Sequence, residues 1–162
     1  MPSVNLKREW QVLGVVLDRF NSIEHTMARI ISAFVRPEAG RGKFFDKHVL
    51  HNSIIPFASK IRLVLAINRE VGGHKLDKDK LHKLLNTRNA LAHGYSAASV
   101  RENLNALAPM PLGEYLIVET LRNDGSLQER PRQAAIAEFI KVSDEVRSEL
   151  KQLLERVKKH AA

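Results

Sequence analysis

The sequence predicts an all-α protein: a helical bundle with long first and last helices and a small β-hairpin before the last helix. Two observations lead to this fold class. Apolar residues repeat at alternating steps of three and four over most of the chain, and a β-type pattern appears only in one short stretch after residue 114. The length of 162 residues suits one domain, which we predict to span residues 1–162.

The first helix is predicted over residues 6–34, where an apolar stripe has one gap, between Phe20 and Met27. The position that fills this gap is Glu24. A carboxylate within an apolar stripe needs a partner, because an uncompensated buried charge is costly. Pro37 and the glycine-containing stretch after it end the helix. The stripe consists of Leu6, Trp10, Leu13, Leu17, Phe20, Met27, Ile31 and Phe34.

The middle of the chain is predicted to form three further helical segments. A short one covers Phe45–His51, and a longer one covers Ile54–Val71 and ends at a Gly-Gly pair. The third runs from Asp77 to His93 and is followed by a glycine, the residue that most often ends a helix.

The last part of the chain combines a connection, a hairpin and a helix. Residues 95–113 have no clear period and contain two prolines, so they are predicted to form a long connection. The β-forming segments Tyr115–Val118 and Ser126–Arg130 flank an Asn-Asp-Gly sequence, which predicts a hairpin. The four-three spacing then returns and predicts a final helix over Gln133–Lys159.

The net charge of +8 comes entirely from residues 29–93. That stretch holds thirteen basic and five acidic residues, whereas the rest of the chain holds thirteen of each. A positive surface attracts phosphates and speeds the encounter with nucleic acid, so RNA is the expected partner and Lys78, Lys80 and Lys83 are the candidate contacts. A solvated basic surface that binds nothing explains the same charge, and this alternative stays open.

Several classes of protein are excluded. The chain has no cysteine, so it forms neither a disulfide scaffold nor a cysteine metal site. It has no apolar run of the roughly 20 residues that a membrane-spanning helix needs and no export sequence at its N-terminus, so we expect a cytoplasmic protein without membrane contact. His48 and His51 alone are weak evidence for a zinc site, and the sequence has no metalloprotease or phosphate-loop motif. We therefore expect no metal and no cofactor.

The end of the third long helix carries an unusual group of polar residues, Arg88-Asn89-Ala90-Leu91-Ala92-His93-Gly94. Arg88 lies four residues after Leu84 on the apolar stripe, where its guanidinium needs an anion or other acceptors. Asn89 and His93 are four residues apart, so the amide could fix the orientation of the imidazole.

This segment resembles the RNxxxH form of the Arg-x4-6-His motif of the HEPN superfamily. Three other Arg–His pairs in the chain also fit Arg-x4-6-His, but of the four only Arg88 is followed by Asn and only His93 ends a predicted helix before Gly. The inward Glu24 of a long first helix adds to the likeness, which extends over roughly residues 6–160. The resemblance implies a small all-helical domain, a homodimer, and metal-independent cleavage of RNA.

The resemblance also implies roles for the residues. Arg88 and His93 become the catalytic candidates, Asn89 supports them, and Glu24 is a supporting residue of the first helix. In catalytic members of the superfamily the Arg and His of two facing subunits gather around one phosphate, and attack by the 2′-hydroxyl gives a 2′,3′-cyclic phosphate. A toxin or defence protein restrained by an antitoxin or regulatory protein is the biological role that the family suggests.

Two alternatives to a ribonuclease stay open. Arg, Asn and His at a helix end would also suit a noncatalytic module that binds nucleic acid or nucleotides, or one that contacts a protein partner. The long apolar faces favour a homodimer and an intramolecular bundle equally. Finally, Glu24 and Arg88 are both charged residues on apolar stripes, and we predict that they face one another and form a pair or a network that includes His25 or His93.

Overall fold

The computed structural model describes residues 6–73, 76–93, 117–121 and 125–160, with side chains at 11–73, 76–92, 125–126 and 130–160. Within these ranges the chain is an all-α bundle with long first and last helices and one strand pair, as predicted. The helices are α1 Leu6–Val35, α2 Gly42–Phe44 with a π-helical turn Phe45–Val49 after it, α3 Phe57–Glu70, α4 Lys78–His93 and α5 Arg132–His160, and the strands are β1 Ile117–Leu121 and β2 Leu127–Pro131.

The chain divides into two compact units, and each buries apolar side chains of its own. Unit 1 comprises residues 1–19 and 83–142, and unit 2 comprises residues 20–82 and 143–162. The prediction of one domain over the whole chain stays a prediction. The buried apolar residues of unit 1 include Val16, Leu84, Leu91, Ala135, Phe139 and Val142. Those of unit 2 include Phe20, Ile23, Met27, Ile30, Phe57, Ile61, Leu81, Leu150 and Leu153.

Helix α1 ends where the sequence predicts. Arg36 adopts a left-handed backbone with φ of 49° just before Pro37. A residue that precedes proline is disfavoured in the α conformation, so the helix cannot continue through this position. The predicted stripe is partly wrong near its end, because Phe34 is exposed, and it omitted Ile23 and Ile30, which are fully buried.

Helix α3 begins three residues later than predicted, and a proline is the reason. Pro56 has an extended backbone, with φ of −65° and ψ of 160°, and its carbonyl accepts the N–H of Ser59 at 2.9 Å. Since proline restricts the residue before it to extended conformations, the helix starts only after Pro56. The predicted glycine stop is present: Gly72 has φ of 81°, and the N–H of Gly73 donates to the carbonyl of Asn68 at 2.8 Å.

Helix α4 begins one residue after the predicted Asp77, which caps its N-terminus. Asp77 lies just before the helix, and its Oδ1 accepts the backbone N–H of Asp79 at 2.9 Å and that of Lys80 at 3.3 Å. These bonds satisfy donors that have no partner within the first turn of a helix.

The hairpin lies where the change of period predicts it. Strands β1 and β2 are antiparallel, and their register runs from Ile117 opposite Pro131 to Leu121 opposite Leu127. The first strand reaches Leu121, beyond the predicted end at Val118. Residues 115 and 116 lie outside the described part of the chain, as do the turn residues 123 and 124. Strand β2 leads directly into α5, which extends one residue beyond the predicted helix at each end.

Candidate functional site

The three predicted catalytic residues lie on the last two turns of α4. Arg88 is half-buried and Asn89 is exposed. The Nη1 of Arg88 donates a hydrogen bond to Oδ1 of Asn89 at 3.1 Å. His93 is the last residue of the helix, and its side chain lies outside the described residues.

The position of Arg88 at the border of the buried face explains its exposure. Its neighbours Thr87, Ala90 and Leu91 are buried, whereas Asn89 faces solvent. The prediction that Arg88 lies on the inward stripe is therefore only partly right. The described contact of Asn89 is with the guanidinium of Arg88, so this amide helps to orient the arginine. Its predicted contact with His93 involves a side chain outside the described part.

Glu24 is buried, as its place in the apolar stripe predicts, and it belongs to a closed hydrogen-bonded ring in unit 2. Its Oε1 accepts the Nζ of Lys60 at 2.6 Å, and its Oε2 accepts the Nδ2 of Asn52 at 2.9 Å. Lys60 also donates to Oδ1 of Asn52 at 3.0 Å. The ring joins α1, α3 and the loop between α2 and α3, and the stacked rings of Phe20 and Phe57, with centroids 4.2 Å apart, pack the same two helices together.

These contacts remove the reason for pairing Glu24 with Arg88. That prediction assumed a buried carboxylate that lacks a cation, but both oxygens of Glu24 have partners within unit 2. The cation is Lys60, whose side chain is only 3% exposed. Glu24 thus holds three segments of unit 2 together, and the contacts of its described side chain give it no chemical role with Arg88.

Lys60 is a residue that the sequence interpretation missed, although the sequence does mark it. It lies three residues after Phe57 and four before Val64, both of which are buried, so it interrupts the apolar stripe of α3. Glu24 interrupts the stripe of α1 in the same way. Two opposite charges on two apolar stripes predict a pair, and comparing Glu24 with every such cation would have found Lys60.

Two of the three lysines predicted to contact RNA are engaged by acidic residues of α5. Lys80 Nζ lies 2.9 Å from Oε2 of Glu145 and 3.2 Å from Oε1 of Glu149, and hydrogen bonds to these two carboxylates raise the pKa of Lys80 above its usual value. Lys83 pairs with Glu138. Lys78 is exposed and has no such pair among the described residues. The first two would have to exchange their partners to meet a phosphate.

Glu138 is shared between two cations of unit 1. It accepts hydrogen bonds from Lys83 on α4 and from Arg130 on β2. Lys83 first, and Arg130 with it, hold the pKa of this carboxyl below its usual value. This shared ion pair joins the hairpin, α4 and α5 within the unit that contains the Arg88 segment.

Most of the positive charge belongs to unit 2. By sequence, that unit holds sixteen Lys and Arg against ten Asp and Glu, whereas unit 1 holds ten against eight. Several of these cations are exposed, and the structure shows no ion pair for them within its described part. They are Arg29, Arg36, Lys43, Lys47, Arg62, Arg69 and Lys78.

Two negative findings apply to the described ranges alone. In them, no group of three or more His, Asp or Glu side chains is arranged to hold a metal ion. None of their helices combines the length and apolar character needed to cross a membrane.

No protein-family model, curated protein or solved structure matches this chain. The likeness to the HEPN superfamily therefore depends on the residues of the α4 segment and on the helical architecture around it.

Proposed function

We propose that the protein is a metal-independent endoribonuclease of HEPN type in which Arg88 and His93 act on the RNA phosphate. The observation that carries this proposal is the arrangement of the α4 end. A half-buried Arg88 is oriented by Asn89, and His93 follows one helical turn later as the terminal residue of α4. An all-α bundle with long first and last helices supports the proposal further.

The chemistry needs only the two residue types. One imidazole takes the proton from the ribose 2′-hydroxyl as this oxygen attacks phosphorus, and the bond from phosphorus to the 5′-oxygen breaks. A second imidazole gives its proton to the departing 5′-oxygen. Arg88 stabilises the charge that develops on the phosphoryl oxygens. The products are a 2′,3′-cyclic phosphate and a 5′-hydroxyl, and DNA is not cleaved because it lacks the attacking hydroxyl.

The proposal includes a homodimer. Each chain offers one His93, whereas the reaction uses a base and an acid, and two copies that face one another supply both. Such an enzyme must be restrained in its own cell, so the proposal extends to a toxin or defence role under an antitoxin or regulatory protein. Sedimentation of the purified protein at tens of micromolar tests the dimer.

Cleavage of total RNA in the presence of EDTA tests the ribonuclease. The wild type should cleave, and Arg88→Ala and His93→Ala should each lower the rate at least about a hundredfold, as loss of an acid–base or phosphate-stabilising group does. Arg41→Ala, at an exposed arginine that pairs with Glu38, and His160→Ala are matched controls at exposed positions and should retain the activity. Equal cleavage by the wild type and the His93→Ala variant would refute the assignment.

A second candidate, an RNA-binding module without catalysis, is favoured by the exposed cations of unit 2. Such a module would bind RNA with an affinity that falls steeply with added salt, because phosphate contacts release counterions. It would leave the RNA intact. Salt-dependent binding by a wild type that fails to cleave would select this candidate over the ribonuclease.

A further inference from the structure

Unit 2 contains an open groove with a volume of about 570 Å³. Its walls come from α1, the π-helical turn, the loop that follows it and α3, and the Glu24–Asn52–Lys60 ring belongs to its lining. Ligand sites in proteins commonly have volumes of about 300 to 1,000 Å³, so one nucleotide fits a groove of this size.

The buried part of the groove holds an unused donor beside acceptors. The ammonium group of Lys60 has three N–H bonds, and the structure gives partners to two of them, Glu24 and Asn52. Each oxygen of Glu24 accepts one hydrogen bond, although a carboxylate oxygen accepts about two. The ring therefore offers both a hydrogen-bond donor and hydrogen-bond acceptors to a ligand.

The exposed part of the groove adds groups with defined hydrogen-bonding roles. Nδ1 of His51 accepts the backbone N–H of Ser53 at 3.3 Å, and the Oγ of Ser53 lies 2.8 Å from the same atom. Since Nδ1 is the acceptor, the neutral ring carries its proton on Nε2 and donates from there. Asp46 contributes an exposed carboxylate, which only accepts, and Lys47 contributes an exposed ammonium, which only donates.

We propose that this groove binds one unpaired guanine nucleotide of single-stranded RNA. Among the four RNA bases only guanine presents two adjacent N–H donors, at N1 and N2, next to the O6 acceptor. A carboxylate such as Asp46 accepts both donors at once, and the third N–H of Lys60 donates to O6. The flat imidazole of His51 is a surface on which a base stacks, and Lys47 neutralises the neighbouring phosphate.

This inference deepens the proposed function by naming the base that the substrate presents, and it rests on that function only for the choice of RNA as the source of the base. The groove and the α4 segment are made of different residues. RNA binding to the groove is therefore measured with the full-length His93→Ala protein in EDTA, because this variant should not cleave the RNA.

The test uses fluorescein-labelled octauridylate RNAs in which the central position is U, A, C or G, with fluorescence anisotropy as the readout. The guanine RNA should bind about tenfold more tightly than the others, the discrimination expected of one good bidentate contact. Asp46→Asn should abolish the preference, because an amide cannot accept both donors. Asp18→Asn, the same change at an exposed site on α1 outside the groove, should preserve it.

Lys47→Glu should weaken all four RNAs to a similar degree, because it acts on the phosphate, whereas Lys151→Glu should change binding less than twofold. Equal binding of the four RNAs, a guanine preference that survives Asp46→Asn, or no binding at all would each overturn the proposal. Displacement of the guanine RNA by an equal concentration of 5′-GMP would make the free nucleotide the ligand and overturn the RNA assignment. Guanine-selective binding without wild-type cleavage would contradict the ribonuclease alone, and cleavage without selective binding would contradict the groove alone.

Discussion

Replacing Lys60 by Met should lower the free energy of unfolding by about 3 to 5 kcal/mol, the usual cost of leaving one member of a buried ion pair uncompensated. Lys60 and Glu24 form such a buried ion pair. The side chains of Lys60 and Glu24 are 3% and 12% exposed, and their charged atoms are 2.6 Å apart. Met is one atom shorter than Lys but is also unbranched and fills most of the same volume, so the loss of the charge dominates the effect.

The double variant separates the interaction energy of Glu24 with Lys60 from the contribution of each residue alone. Glu24→Met alone should cost a similar amount, because it leaves the ammonium of Lys60 buried without an anion. Glu24→Met with Lys60→Met should cost much less than the sum, since an apolar pair of similar volume often replaces a buried ion pair at little cost. Asn52 is exposed, so water replaces the partners that it loses. Urea unfolding followed by circular dichroism measures the four free energies, and the expected coupling is at least about 2 kcal/mol.

The pair formed by Glu38 and Arg41 is the matched control. Its side chains are 76% and 77% exposed, and their charged atoms are 3.3 Å apart. The same cycle there should give a coupling of about 0.5 kcal/mol or less, as exposed pairs do. If the cycle on Glu24 and Lys60 is additive within about 0.5 kcal/mol, the buried ring does not hold unit 2 together and the reasoning is wrong.

Substitutions at three further positions test local features by urea unfolding. Glu138→Gln should lower the free energy of unfolding by about 0.5 to 1 kcal/mol at pH 7, a typical value for a partly exposed pair. Lys83 is the main cause of the depressed pKa of Glu138 in the folded protein. The stabilisation is therefore present above the pKa of the unfolded state and disappears as the pH falls through the pKa of the folded state. A difference between this variant and the wild type that persists at pH 2 would contradict the assignment. Gly72→Ala should lower the free energy of unfolding by about 1 kcal/mol, because Gly72 has φ of 81° and no atom lies within 4 Å of an added Cβ to contribute a clash. Gly72→Asn should cost less, because Asn adopts this left-handed conformation more readily than Ala. Asp77→Ala should cost about 1 kcal/mol by removing the cap of α4, and an unchanged midpoint would show that the cap contributes nothing.

Much of the fold follows from local rules that a sequence displays. The period of the apolar residues predicts α1, α4 and α5, and Asp77 and the Gly72–Gly73 pair mark helix ends because capping and left-handed conformations depend on residue type. The start of α3 was misplaced because the apolar pattern continues through Ile54, whereas the backbone geometry imposed by Pro56 decides the boundary. Periodicity shows which residues share a face and does not show where proline interrupts the helix.

The candidate site was less predictable, since its contacts join residues far apart in the chain. The sequence marked Glu24 as a buried charge correctly, but the identity of its partner depends on how α1 and α3 pack, and Lys60 lies 36 residues away. In the same way, Lys80 appeared as a cation available to RNA until the packing of α4 against α5 within unit 2 placed Glu145 beside it. The motif at the end of α4 was visible because its residues are neighbours along one helix.

Analysis of the ends that cleavage leaves on RNA tests the ribonuclease most directly. A short synthetic RNA is incubated with the wild-type protein in EDTA, beside the same sequence as DNA and beside the His93→Ala protein, and the products are weighed by mass spectrometry. We predict that the wild-type protein cleaves the RNA but not the DNA, and that the fragments end in a 2′,3′-cyclic phosphate and a 5′-hydroxyl. Intact RNA, cleaved DNA, or the same fragments from His93→Ala would contradict the assignment of Arg88 and His93 to phosphodiester cleavage.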